Sequence, residues 1–187
     1  MSIYTASLAA KRLELARELV ADPRFVAVLT NPASPTLRAE LANVETAARE
    51  RGQRILVLNS SVDEDLETSF AEMVSQQAGV LLLLQDGFFN SRRERIIRLA
   101  ARHRVPAVYY ERVFARAGGL LSYGASIAEG YRHAGRYSGL ILKGASPADL
   151  PVLQPTKFEL VINLETARAI GLQIQPSLLV RADEVIE

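Results

Sequence analysis

The chain contains no cysteine and no tryptophan, and its only histidines are His103 and His133. Without cysteine there is no disulfide, no thiolate nucleophile and no cysteine-based metal site, and nothing reports on the redox compartment. The two histidines fall on different helical segments and each reads as a surface or helix-end residue, so no metal is expected. An excess of one charge is missing too: 22 Lys and Arg stand against 21 Asp and Glu, a net charge of +1. A nucleic-acid partner recognised through bulk electrostatics would call for a basic excess or stripe, so none is expected. The arginines of "NSRRERIIRLAARHR" alternate with apolar residues at helical spacing and read as a solvated helix face. No apolar run approaches the ~20 residues that span a bilayer. The opening "MSIYTASLAAKRLELARELV" lacks a secretory core because Lys11, Arg12 and Glu14 interrupt it, so the chain as written carries no export signal of its own. Also absent are G-x-G-x-x-G, G-x-x-x-x-G-K-[ST] and G-x-S-x-G, the signatures of dinucleotide, P-loop and hydrolase-elbow sites. No cofactor and no enzymatic activity are expected.

What is present is apolar and periodic. Of 187 residues 49% are hydrophobic, enough for one substantial core. Strand candidates lie at 25–30, 54–59, 79–84, 106–110, 119–123 and 158–163. They are continuously apolar rather than alternating, which suits strands covered on both faces. Helical segments at 35–51, 62–77 and 91–104 separate the first four, an amphipathic helix at 7–21 precedes them, and another runs over 126–143. This rhythm predicts an α/β fold: a mostly parallel sheet flanked by helices on both faces. Ser34 before Pro35 reads as a helix start. The Ser-x-x-Glu patterns at 61–64, 91–94 and 126–129 read as capping boxes. A Pro-rich connection, "GASPADLPVLQPTKF", leads to a last strand-helix pair and a polar tail.

In an open parallel sheet, ligands bind beyond the carboxyl ends of the strands. Those ends read "TNPAS" (30–34), "NSS" (59–61), "QDGFFNS" (85–91), "YYER" (109–112) and "SYGAS" (122–126). They combine polar groups that can orient a ligand with aromatic surface that can cover it. Asp86-Gly87 reads equally as a turn and as a ligand contact. One of Phe88 and Phe89 belongs to the core and the other to the rim. Asn31, before Pro32, either shapes the helix entry or faces a ligand, and Tyr110 and Tyr123 either pack or line the rim. No nucleophile and base converge there, so the rim reads as a binding surface.

The segment "QPTKFELVINLETARAIGLQIQPSLLVRADEVIE", with "RFVAVLTNPASP", "LLLLQDGFFNSRR", "RVPAVYYER" and "AGGLLSYGASIAEGYRHAGRYSGLILKGASPADLP" upstream, resembles a bacterial family of ABC-transporter substrate-binding proteins. That family includes tryptophan- and tyrosine-type solute receptors. The resemblance spans essentially the whole chain but implies only part of a receptor. Such receptors are similar to type I periplasmic binding proteins, in which two α/β lobes close on a ligand. This chain matches the second lobe plus terminal elements.

On that resemblance, residues 1–24 are a lead-in hinge and helix, 25–124 the ligand-binding lobe, and 125–187 a C-terminal helix, Pro-rich connection and terminal strand-helix. Carried over position by position, this half of the cleft is Asn31, Ser34, Asp86, Phe88, Tyr110 and Tyr123. Asp86 is the expected partner of a ligand ammonium group, and the rings are the expected cover. The implied partners are a small-molecule solute and an ABC permease, and the implied location is periplasmic or otherwise extracytoplasmic. The helix at 126–143 packs on the first lobe in such receptors. Its stripe of Ile127, Tyr131, Ala134, Ser138 and Ile141 would here lack that cover, so a homodimer or a free-standing regulatory module is the alternative expectation.

Overall fold

The computed structural model describes residues 6–20 and 23–187. The lead-in helix α1 (Ala6–Leu19) precedes a series of strands and helices: β1 (Val26–Thr30), α2 (Leu37–Glu50), β2 (Ile55–Asn59), α3 (Asp63–Ser75), β3 (Val80–Leu83), α4 (Gly87–Ser91), α5 (Arg93–Arg102), β4 (Ala107–Tyr109), α6 (Arg112–Arg116) and β5 (Leu121–Ala125). These strands are mutually parallel in the order β2-β1-β3-β4-β5. The chain then runs out through α7 (Ile127–Leu142) and a Pro-rich strap holding a short 3-10 turn (Pro147–Asp149). It returns as β6 (Phe158–Asn163), antiparallel to β5, followed by α8 (Leu164–Ile170), α9 (Pro176–Val180) and β7 (Glu184–Ile186) at the far edge.

The unbroken apolar runs are explained by two core layers. Every residue of β1 and β3 is buried because helices cover both faces. One layer joins Leu13 and Leu15 of α1 to Val28, Leu82, Leu121 and Ile162. The other joins Leu29 and Leu83 to Leu66 and Phe70 of α3, Ile96 of α5 and Phe114 of α6. Each such side chain contributes roughly 1.5–3 kcal/mol by leaving water. All six strand candidates are present, and a seventh strand, β7, lies in the polar tail. Composition hides β7 because charge holds it: Arg112 reaches Glu184 at 2.6 Å and Glu159 at 3.1 Å, and Arg116 reaches Glu184 at 3.1 Å.

The helix starts differ in detail from the Ser-x-x-Glu reading. At α3 the cap is Asp65, whose carboxylate accepts from the Ser61 and Val62 amides at 2.8 and 3.1 Å. Helix α4 begins before Ser91, with Asp86 as its N-cap, while the Ser91 hydroxyl donates to the Phe88 carbonyl at 2.7 Å. At α7, Ser126 occupies the cap without a side-chain bond, and Glu129 instead pairs with Arg132 and His133. Helix α2 starts at Leu37 rather than Pro35 because Asn31 first closes a turn, accepting from the Ala33 amide through Oδ1 at 3.0 Å.

Candidate functional site

Strand alternation and helix capping together build the carboxyl edge of the parallel sheet. Residues 31 and 86 follow the paired strands β1 and β3, so their side chains emerge side by side. Asn31 Nδ2 donates to Asp86 Oδ1 at 2.8 Å, and the Phe88 amide donates to the same oxygen at 2.8 Å. The Tyr110 hydroxyl, just beyond β4, donates to the Asp86 carbonyl at 2.9 Å. Asp86 therefore both caps α4 and is held by its neighbours. Its other carboxylate oxygen has no hydrogen-bond partner among the described residues, and the residue is half-buried. Tyr110 is buried, and burial pushes its hydroxyl pKa well above the ordinary tyrosine value.

The remaining candidates take different places. Phe89 is fully buried, whereas Phe88 is half-buried, tilted against Phe89 at 5.6 Å, with the Arg92 guanidinium 5.4 Å from its ring centre. Ser34 closes the Asn31 turn, its amide donating to the Asn31 carbonyl at 2.9 Å and its hydroxyl lying 3.2 Å from that of Thr36. Tyr123 lies on the α1 side of the sheet, beside Lys11 and Leu15 and tilted against Phe158 at 6.2 Å. No hydrogen bond among the described residues joins it to the Asn31–Asp86–Tyr110 cluster. Tyr110 is kept in place by a close approach. A Cβ on Gly124 would collide with the Tyr110 carbonyl, so only glycine fits beside it.

Beneath this edge sit two buried charges absent from the strand-end reading, Arg12 of α1 and Glu40 of α2, each 1% exposed. Burial pulls the Arg12 pKa down to about 10, and the Glu40 carboxylate opposes the fall. A signal for Arg12 existed in the sequence: it falls four residues after Leu8 and four before Ala16, on the apolar stripe of its helix.

A cavity of about 260 Å³ lies elsewhere, between α7 and the strap, lined by Ile127, Gly130, Tyr131, Ala134, Leu153 and Pro155 among others. Among the described residues, no cluster of histidine or acidic side chains could hold a metal ion, and no helix is long and apolar enough to cross a membrane.

Known proteins share this fold. The chain is 22% identical over 164 residues to a tyrosine-binding protein of Clostridioides difficile strain R20291, a match covering 87% of this chain and 47% of that one. In fold it matches two solved structures at a TM-score of 0.84, each 21% identical, covering 95% of this chain and 60% of theirs. One is a conserved domain protein from Vibrio cholerae and the other an ABC domain from Streptococcus pneumonia in complex with L-Trp. The chain thus spans about half the length of the curated relative. The family model for ABC transporter substrate-binding proteins matches residues 3–186. That family binds small-molecule solutes, works with ABC permeases and typically acts outside the cytoplasm, and this chain belongs to it.

Proposed function

We propose that the chain forms the second lobe of a solute receptor for ABC-type import, and that its half of the cleft takes an amino acid or similar zwitterion. The observation that carries this reading is the Asp86 carboxylate. One of its oxygens is fixed by Asn31 and the Phe88 amide, and the other is left for a cation at the end of a central parallel strand. A charge-assisted hydrogen bond from a ligand ammonium group there contributes roughly 1.5–3 kcal/mol. The half-buried ring of Phe88, with Phe89 behind it, offers aromatic surface worth about 0.5–1.5 kcal/mol per ring pair beyond simple burial. Asn31 and Ser34 shape the turn that faces the ligand, whereas Tyr123, on the α1 side of the sheet, takes no part in this contact. The tyrosine- and tryptophan-binding relatives make L-tyrosine and L-tryptophan the first ligands to try. Delivery to a permease, and work outside the cytoplasm, follow for this chain on the same reading.

One lobe leaves much of a ligand in water, so the isolated chain binds weakly. Titration of the labelled protein with millimolar L-tyrosine and L-tryptophan should move the amide resonances of Asp86, Phe88 and their neighbours, and Asp86→Asn should weaken the response about 10- to 100-fold. Shifts confined to the α7 groove, or submicromolar affinity for the lone chain, would sink this reading.

The exposed face of α7 favours a second reading, in which the lobe is reused as a free-standing regulatory or dimerisation module. Tyr131 is 75% exposed and Leu142 88% exposed, a display that usually marks a contact surface. Sedimentation of the chain at high concentration as a monomer would remove this alternative.

A further inference from the structure

Arg12 is the largest of the fully buried side chains among the described residues, and it lies on the lead-in helix rather than in the sheet. An arginine withdrawn from water is costly unless its charge and its donors find partners. Its Nη1 points to the Leu83 carbonyl at 3.5 Å, its Nε has no partner, and the Glu40 carboxylate supplies the main attraction. Glu40 in turn accepts from the Gln85 amide at 3.1 Å. The next residue is Asp86, gripped by Tyr110 through its carbonyl and by Asn31 through its carboxylate.

These contacts share one location. The last ladder bond of β3 on the β1 side runs from the Leu84 amide to the Leu29 carbonyl. Beyond it the chain leaves the sheet, and side chains from α1, α2 and the end of β4 take over the backbone groups that strands would otherwise pair, while Asn31 at the end of β1 holds the Asp86 carboxylate. The buried charges sit where backbone pairing ends, directly before the rim carboxylate. Docking α1 onto the sheet needs only apolar contacts, which Leu13, Leu15 and Ala16 already supply. The charged pair therefore has a more specific task.

We propose that Arg12 and Glu40 together are positioning residues for Asp86. Arg12 at the Leu83 carbonyl and Glu40 at the Gln85 amide clamp the 83–86 turn and so hold the Asp86 carboxylate ready for a cation, linking the helix that enters the lobe to the ligand-facing edge. This rests on the reading of Asp86 as the ammonium partner, but the clamp can be tested with no ligand present.

The test compares wild type with the Arg12→Met/Glu40→Leu variant, since replacing buried opposite charges together by apolar side chains often leaves stability near its original value. Residue-resolved amide exchange at Gln85 and Phe88 should accelerate about tenfold or more while Val28 and Leu82 stay protected, because only the local opening changes. L-tyrosine affinity, read by resonance shifts, should fall about tenfold in parallel. A folded variant whose Gln85 and Phe88 amides remain as protected as in wild type would overturn the proposal. If L-tyrosine binds neither protein, the ammonium reading fails alone and the exchange result still decides the clamp. Should the double variant not fold, Arg12→Lys replaces it: the cation stays but the planar fork is lost. Faster exchange confined to Gln85 and Phe88 supports the clamp, and unchanged exchange there overturns it.

Discussion

At the carboxyl edge of β1, β3 and β4, polar side chains are spent on one another. Asn31, Asp86 and Tyr110 form a bonded set, and Arg12 and Glu40 lie underneath it. Along α7 the opposite holds: of 16 helical residues only Gly130 is buried, while Tyr131, Ile141 and Leu142 face solvent. The first region is organised without help and presents one uncommitted carboxylate oxygen. The second has an amphipathic helix whose apolar side is met, among the described residues, mainly by a partial strap, in which the Tyr137 hydroxyl donates to the Pro151 carbonyl at 2.7 Å. The contrast separates two kinds of exposure. A small ligand needs a rigid, polar, preassembled edge, and a protein partner can be met by a face that is merely apolar and available.

Four substitutions break or sharpen this contrast. The largest effect belongs to Phe70→Ala, which empties a fully buried site beneath α3. Loss of transfer energy plus a cavity should cost about 3–5 kcal/mol, read by chemical denaturation. Gly124→Ala follows, at about 1–3 kcal/mol, because the new methyl collides with the Tyr110 carbonyl across β4 and β5. It should also disturb the amide resonances around Asp86, joining a stability defect to the rim, whereas Phe70→Ala should act globally.

Asp65→Ala should produce a smaller, pH-dependent loss. Hydrogen bonds from the Ser61 and Val62 amides hold the Asp65 carboxyl below its ordinary value. A depressed folded pKa contributes stability above the unfolded value of about 3.8 and loses it as pH falls further. Thermal melts of wild type and variant should therefore differ at neutral pH and converge in acid. Smallest is Tyr131→Ser on α7, expected within about 0.5 kcal/mol of wild type because the ring has little folded contact to lose. A larger destabilisation, accompanied by a change in sedimentation, would show that the arm is already covered in solution by a second copy.

Much of the fold is legible in the sequence because burial on both faces writes an unmistakable code. "VAVLT" and "VLLL" have no polar register, and that requires helices on either side. Strand β7 is less legible. Its three residues are set by pairing with β6 and by Arg112 and Arg116, the two arginines lying about 70 residues away in sequence. Strand ends also locate the rim, since Asn31 and Asp86 are assigned by where apolar runs stop. The two charges below it are not legible by that route. Arg12 shows only by falling on the apolar stripe of α1, and Glu40 resembles an ordinary helix-surface residue until α2 is laid against the sheet. Capping is legible only in part for a related reason: Ser-x-x-Glu is a local pattern, while in the folded chain Asp65 takes the Ser61 and Val62 amides and Asp86 takes the Phe88 amide.

The sequence by itself determined the alternation of strand and helix, the parallel sheet and the edge where chemistry collects, since these follow from local periodicity and from the need to remove apolar side chains from water. Only the tertiary structure decided which polar groups at that edge are consumed and which are left over. It joined Asn31 to Asp86, placed Tyr123 on the other side of the sheet and drew Arg12 into the interior. The physical reason is that hydrogen bonds and buried charges are satisfied by distance in space, and a linear order of residues carries that information only after the chain has folded.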